Sequence, residues 1–399
     1  MAGKMANSAE ERRLVALSEL ACLVADGVAG TRSALIAATG LSRSAVAQRV
    51  DLLIERGLLV ESEPLATDRG RPPYSLDLAS DEVLVVGVDL GATHCRIALT
   101  TLGGRVLAET ATEIDINEGP ERTLGGVTKL IEKLCHETGR TLRSVRALGI
   151  GVPGPVAAES GTVVRPPIMQ GWDGYRVPAF FEGSYAAPVL VDNDVNMMAF
   201  GEYVHRRESE HLLYVKLGTG IGCGIVSGGV LHRGASGAAG DIGHIRLPGH
   251  DDVPCHCGNT GCVEAVASGS ALAAALRAEG LEAHGARAVV RLVSEGHPLA
   301  RRQVRLAGQR IGEVLASLVS FHNPDTIVVG GVLAQLHEDL LADIRGVIYR
   351  RALPLATRSL RIETSVLGEH AGVLGSARLA ARHLLSPRGI REFLDARRG

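Results

Sequence analysis

Leu217-Gly-Thr-Gly-Ile-Gly-Cys-Gly-Ile225, Gly234-Ala-Ser-Gly-Ala-Ala-Gly-Asp-Ile-Gly-His244 and Cys255-His-Cys-Gly-Asn-Thr-Gly-Cys-Val-Glu264 follow one another between Val215 and Glu264. The first run is an apolar strand ending in small residues. Such a loop lets backbone N–H groups approach phosphate oxygens. The last two runs bring a His and three closely spaced Cys, a donor set that holds a tetrahedral metal. Two chemistries thus share about fifty residues. By themselves they fit an enzyme and a sensor equally.

The bulk numbers narrow the field. At 399 residues the chain is long enough for two or three domains. It is 46% hydrophobic and 22% charged, an ordinary globular balance. The formal net charge of −2 excludes a global basic field, so any nucleic-acid contact must be local. No leader-like segment and no apolar run near eighteen residues occurs, so the expectation is a cytoplasmic chain with no membrane partner. Seven cysteines in such a chain argue for metal rather than disulfides, because three of them cluster. Cys22, Cys95, Cys135 and Cys223 are scattered and read as small buried hydrophobes.

Residues 1–78 read as a winged helix-turn-helix domain. Met1 to Ser8 should fray. Leu14, Leu17, Leu20, Ala21 and Val24 repeat at helical spacing to about Ala25. A short helix follows over Thr31 to Gly40. Ser42 then caps a helix from Arg43 to Arg56, with Val46, Val50, Leu53 and Ile54 on one face. That helix turns Arg43, Ser44, Gln48 and Arg49 outward, types that read base edges and phosphates in a major groove. Leu58-Leu-Val60 and Tyr74-Ser-Leu-Asp-Leu78 flank a basic turn, with Arg69 and Arg71 placed to enter a minor groove. The segment holds 9 Lys+Arg against 10 Asp+Glu, so DNA binding there cannot rest on net charge. A plain three-helix interaction module is the alternative. The expected joint to the rest is Pro72 to Glu82.

Beyond the joint, strands alternate with helices, as in an α/β layered fold. Asp89, Gly91 and Thr93 sit between two apolar strands, a phosphate-loop hairpin or an ordinary turn. A helix is expected over Glu121 to Thr138 and a strand over Val145 to Val152. Val189-Leu-Val-Asp-Asn-Asp194 puts carboxylates at the end of a strand, where α/β crevices form. Asp194 can accept a hydroxyl proton there. Alternatively Asp192 or Asp194 merely caps the next helix. Gly330-Gly331 ends another strand and either receives an adenosine or makes a tight turn. A long helix is expected over Arg305 to Phe321, and the Arg-rich tail from Arg388 to Gly399 as an exposed surface helix.

These residues, taken together, resemble the ROK family of repressors and sugar kinases. The glycine run with Gly234 and Gly240-Asp-Ile-Gly-His244 looks like the family signature, and Cys255-x-Cys257-Gly-x-x-Gly-Cys262-x-Glu264 is similar to its zinc motif. The resemblance implies an actin-like, two-lobed α/β fold over 82–399, with lobes of about 82–197 and 198–385 and a cleft between them. It implies a structural zinc on His244, Cys255, Cys257 and Cys262. It implies a sugar site of Asn193, Asp194, Asp241, His244 and Glu264, with Asp194 as general base in a kinase. It implies a nucleotide site of Asp89, Gly91, Thr93, Gly218, Thr219, Gly220, Gly330 and Gly331.

Two departures matter. Asp241, one methylene shorter, stands where the family carries Glu, which should loosen one hydroxyl contact or alter which sugar fits. The family's Asp-x-Gly-Gly-Thr-Lys is Asp89-Leu-Gly-Ala-Thr-His94 here. Ala92 adds a Cβ, and the imidazole of His94 is only partly charged at neutral pH where Lys would be fully charged. The leading expectation is a sugar-responsive regulator, a repressor of carbohydrate genes, that binds operator DNA as a homodimer or homotetramer. The second is an ATP- and Mg²⁺-dependent kinase, glucokinase-like or for an amino sugar, carrying a DNA-binding domain. A zinc-stapled interaction protein with a degenerate cleft is the third.

Overall fold

Central strands buried on both faces organise the chain, seen here in a computed structural model. The structure describes residues 2–62, 74–79, 83–206 and 208–396. α1 (Ala2–Ala25), α2 (Arg32–Thr39) and α3 (Arg43–Glu55) come first. α1 begins at Ala2, so the stretch expected to fray is the first part of a helix. Thr31 caps α2 by accepting from the Ala34 N–H, and Ser42 caps α3 by accepting from that of Ala45. Gly40 ends α2 at φ 66°, a left-handed turn that sets the angle into α3. Leu17, Leu35, Val46, Val50 and Leu53 are fully buried between the three helices. β1 (Leu59–Ser62) and β2 (Ser75–Leu78) pair antiparallel as the base of the wing. Its tip, with Arg69 and Arg71, lies outside the described residues, as do both ends of the expected joint.

The first lobe holds β3 (Leu84–Leu90), β4 (His94–Thr101), β5 (Val106–Glu113), α4 (Pro120–Glu137), β6 (Val145–Val152), β7 (Val156–Ala157), β8 (Thr162–Val163), α5 (Val177–Phe181) and β9 (Val189–Asn193). α6 (Asp194–Arg206) crosses to the second lobe. That lobe holds β10 (Leu212–Leu217), β11 (Ile221–Ser227), β12 (Val230–His232), α7 (Val263–Ala267), α8 (Gly269–Ala278), α9 (Ala286–Ser294), α10 (Pro298–His322), β13 (Thr326–Gly330), α11 (His337–Arg351), α12 (Pro354–Thr357) and β14 (Arg361–Thr364). α13 (Ala371–Leu384) and α14 (Pro387–Ala396) close the chain. The expected lobe boundary at 197–198 falls inside α6, and α13 returns to the first lobe.

Both lobes use one topology. The first sheet runs β5-β4-β3-β6-β9 and the second β12-β11-β10-β13-β14. In each, three antiparallel strands are followed by two parallel ones. This is the two-lobed actin-like fold preceded by a winged helix-turn-helix. Among the described residues no helix is long and apolar enough to cross a membrane.

β3 is buried at every position, but its two faces differ. Leu84, Val86, Val88 and Leu90 pack into the first-lobe core under α4 and α5. Gly87 and Asp89 face α13 instead, and β6 turns Gly149 the same way. A Cβ on Gly87 would stand 2.1 Å from the Val373 carbonyl, and one on Gly149 2.0 Å from that of Ser376. On its other side α13 meets α6: a Cβ on Gly375 would stand 1.8 Å from the Met197 carbonyl. α13 therefore lies in backbone contact with sheet and helix at once.

The far end of α13 carries the winged domain. One apolar cluster joins Leu17, Leu20, Leu35 and Leu59 to Val85, Ala147, Ala377, Ala380, Leu385 and Ile390. Ser18 Oγ donates to the Leu385 carbonyl at 2.6 Å, and Arg382 pairs with Asp26 at 2.7 Å. The tail is thus not the exposed helix expected. Ile390 of α14 is fully buried, with Phe393 and Leu394 packed beside it. Three apolar residues at i, i+3, i+4 make a seam that the flanking arginines disguise.

Gly375→Ala should destabilise the protein by about 3 kcal/mol, because α6 and α13 cannot separate without unpacking the sheet. Gly126→Ala on α4 is the matched control: a Cβ there meets nothing within 4 Å. It should stabilise by about 0.5–1 kcal/mol. Urea unfolding measures both, and a tolerated Gly375→Ala contradicts the backbone contact.

Candidate functional site

Strand ends from both lobes meet at a cleft of about 1140 Å³. β3 delivers Asp89, β9 delivers Asn193, and α6 begins with Asp194. From the second lobe, Gly218-Thr219-Gly220 follows β10, and Gly330-Gly331 ends β13. Asn193, Asp194, Asp241, His244 and Glu264 all line this one cleft. So do Asp89, Thr93, Gly218, Thr219, Gly220, Gly330 and Gly331. Gly91 is buried under His94: a Cβ on it would touch that imidazole at 2.1 Å.

Each side chain has a definite local job. Asn193 caps α6, its Oδ1 accepting from the Val195 N–H at 3.0 Å while its amide donates to the Gly154 carbonyl at 3.1 Å. Neither Asp192 nor Asp194 therefore serves as the cap. Asp192 takes donors from Asn196 and from the Arg233 guanidinium. That leaves Asp194, 3% exposed, facing the cleft with the Lys216 ammonium on its Oδ2. Burial raises the Asp194 carboxyl and would lower Lys216, but Asp194 and Asp89 together hold Lys216 above its ordinary value. Lys216 is thereby held as the ammonium, while at Asp194 burial opposes ionisation and the ammonium on its Oδ2 favours it.

Glu264 links the glycine loop to the cysteine loop. Its Oε2 accepts from the Ile221 N–H at 2.9 Å and lies where a Cβ on Gly220 would be 2.4 Å away. A side chain at position 220 would push this carboxylate away from the Ile221 N–H. Asp241 is exposed at the cleft wall, with its Oδ1 3.9 Å from His244 Nε2.

The other nitrogen of His244 faces sulfur. Nδ1 lies 3.6 Å from Cys255 Sγ, and the Cys257 and Cys262 sulfurs are 3.7 Å apart. All four donor atoms lie within 4.8 Å of one another. Sulfurs about 2.3 Å from a tetrahedral zinc would be ~3.8 Å apart, so the spacing fits. Burial and the neighbouring sulfurs push the Cys262 thiol up to about 12, a penalty that a bound cation reverses. The loop is otherwise pinned by few bonds, among them Cys255 N–H to the Asn259 carbonyl at 2.8 Å and Gly261 N–H to that of Val253 at 2.8 Å. The cluster can bind a metal.

At the opposite end, Arg43, Ser44 and Gln48 are exposed on α3, away from Val46, Val50 and Leu53. Arg49 is not: it is half-buried and donates to its own helix at the Ala45 carbonyl, 2.9 Å away. Of the scattered cysteines, Cys95, Cys135 and Cys223 are buried, while Cys22 is only half-buried. Ala92 packs its Cβ against the first-lobe core.

Lys216 and Arg165 line the cleft, and Arg233 pairs with Asp192 beside its acidic residues; none was singled out from sequence. Lys216 had a usable signal, one charge in an otherwise apolar strand. Arg233 meets Asp192 across 41 residues. Arg165 sits at φ 43° with its N–H on Asp173 at 2.7 Å, a turn without a glycine to mark it.

The sequence profile of the ROK family matches residues 85–383. The chain belongs to the ROK family. The xylose repressor of Caldicellulosiruptor bescii is 30% identical over 361 residues, 87% of this chain and 90% of that one. A solved ROK-family transcriptional regulator, a homolog of the E. coli Mlc protein, superimposes with a TM-score of 0.79 at 24% identity, covering 96% of this chain and 99% of its own. A ROK glucokinase from Streptomyces griseus, solved with glucose and AMPPNP, superimposes at 0.66 with 28% identity. It is covered over 99% of its length yet spans only 74% of this chain. The family profile begins at residue 85, after the winged domain.

The purified chain should carry about one equivalent of zinc, and Cys257→Ser should lose it with a lowered Tm. Elemental analysis with thermal melting reads both. Full metal retention by Cys257→Ser contradicts the ligand set.

Proposed function

We propose that this ROK protein is a sugar-responsive, DNA-binding transcriptional regulator, a repressor of carbohydrate genes. The observation that carries this is the continuous apolar core between the winged domain and α13, whose other end lies against the cleft. A Cβ on Gly372, in the first turn of α13, would stand 2.5 Å from the Asp89 carboxylate. A DNA-binding domain so attached cannot be indifferent to the cleft. The likeness to a xylose repressor over both segments supports the same reading.

In it, Asn193, Asp194, Asp241, His244 and Glu264 bind sugar hydroxyls, since carboxylate and amide oxygens accept directional hydrogen bonds. Zinc on His244, Cys255, Cys257 and Cys262 is structural. With Nδ1 on the metal, His244 keeps Nε2 for the sugar. Arg43, Ser44 and Gln48 enter the major groove, and the wing arginines Arg69 and Arg71 reach the minor groove. A twofold dimer presents two such helices to a palindromic operator. The sugar acts by binding the DNA-competent and DNA-incompetent states unequally.

The kinase reading keeps one specific observation in its favour: Asp194 is released from capping and faces the cleft. It would then be the general base, with ATP over Gly218-Thr219-Gly220 and Gly330-Gly331. The phosphate hairpin fits a nucleotide poorly, because His94 lies over Gly91.

The protein should bind DNA from its own upstream region, and one member of a panel of sugars, amino sugars and sugar phosphates should shift the Kd by about tenfold or more. Glu264→Gln should abolish the shift and leave DNA binding intact. If no sugar moves operator binding, the regulator reading fails. If the chain turns over ATP with a sugar and Asp194→Asn abolishes that turnover, the kinase reading stands.

A further inference from the structure

β10 reads Leu212-Leu-Tyr-Val-Lys-Leu217, and Lys216 is its single charge. Its backbone pairs with Gly222 on one side and Gly330 on the other. Neither neighbour has a side chain to crowd it, so the lysine stem runs to the cleft floor. There the ammonium, on the second lobe, donates to Asp194 of the first. Asp89, 3% exposed at its side chain, lines the same cleft and adds its charge to that of Asp194 in holding the ammonium protonated. Its Oδ1 is buried with no hydrogen-bond partner among the described residues. Its Oδ2 faces the His94 imidazole, at 3.7 Å. Two buried carboxylates thus stand in one cleft with a single part-buried ammonium, bonded to Asp194, and an imidazole beside Asp89. A carboxylate held out of water without a cation is expensive, so the arrangement exists only because Lys216 is there.

Nucleotide-dependent phosphoryl transfer makes the opposite demands. It needs a divalent ion bridging phosphate oxygens at such carboxylates, and a base free to take the hydroxyl proton. We propose that Lys216 is a tethered cation that takes the place of a divalent metal between Asp89 and Asp194. With His94 laid over Gly91, it reserves the cleft for a sugar bound without metal–nucleotide. Lys216 is thereby the residue that separates sugar binding from sugar phosphorylation in this chain. Asp194 keeps Oδ1 as an acceptor for a sugar hydroxyl, but the ammonium on Oδ2 opposes uptake of that hydroxyl's proton. The same contact bridges the lobes, so a sugar that competes for Asp194 changes how they are held. This deepens the regulator reading and rests on it.

The test uses Mn²⁺ alone as probe, followed by electron paramagnetic resonance, on the full-length zinc-loaded protein. The wild type and Asp89→Asn should bind Mn²⁺ equally, because the wild-type site is already filled by Lys216. Lys216→Met should create a site at least about tenfold tighter than any in the wild type, and Asp89→Asn added to it should remove that site. An Mn²⁺ site in the wild type that Asp89→Asn abolishes overturns the proposal. So does a folded, zinc-replete Lys216→Met with no Asp89-dependent site. If Lys216→Met does not fold, the comparison of wild type with Asp89→Asn decides alone. Operator binding with the sugar panel is read separately. A chain deaf to every sugar sinks the regulator reading whatever Mn²⁺ does, whereas a responsive chain that binds Mn²⁺ at Asp89 sinks only the role of Lys216.

Discussion

Helix α13 touches β3, β6 and α6 backbone to backbone, and the rest of the molecule is arranged around that contact. Glycines at Gly87, Gly149 and Gly375 make it possible, each placed where a single Cβ would collide with a carbonyl. Interfaces of this kind cannot deform gradually, because no flexible side chain lies between the two backbones. α13 therefore moves with α6 and with the first sheet, or it does not move. Its first turn stands against Asp89 at the cleft, and its last turn and α14 complete the core of the winged domain. Asp194 is the first residue of α6. On the proposed reading, a sugar that repositions Asp194 acts on the helix that α13 is locked to.

The cleft itself is an electrostatic compromise between the lobes. Asp89 and Asp194 come from the first lobe, Lys216 from the second. Arg233 of the second lobe holds Asp192 in the same way. Both pairs join a first-lobe acid to a second-lobe cation, so a ligand that competes for Asp194 also competes with a contact between the lobes. The cysteine loop adds a fixed wall. Glu264 ties it to the glycine loop, and His244 faces sulfur on one side and the cleft on the other. A metal on the four donors would fix the imidazole's tautomer and orientation together.

Much of this was legible because it is local. Thr31, Gly40 and Ser42 spell the helix-turn-helix caps directly, and the spacing of Cys255, Cys257 and Cys262 names the metal cluster. The glycine run after β10 marks the loop it forms. What escaped is tertiary. Asn193, not its acidic neighbours, caps α6, and only the geometry of the strand end decides among three adjacent candidates. Lys216 finds Asp194 across 22 residues and the two lobes. α14 looks like a charged surface helix because Arg388, Arg391, Glu392 and Asp395 surround a short apolar seam. Its burial depends on a partner, α1, almost a whole chain away. Arg49 has the right position on α3 for base contact but folds back onto Ala45, a rotamer choice no pattern encodes.

The most direct test of the coupling between cleft and winged domain is amide hydrogen exchange on the full-length protein, with and without the sugar that shifts operator binding. The account predicts altered protection in α13 and across the α1–α14 contact as well as in the cleft loops. Exchange that changes only around the cleft, while operator affinity still shifts, would contradict it.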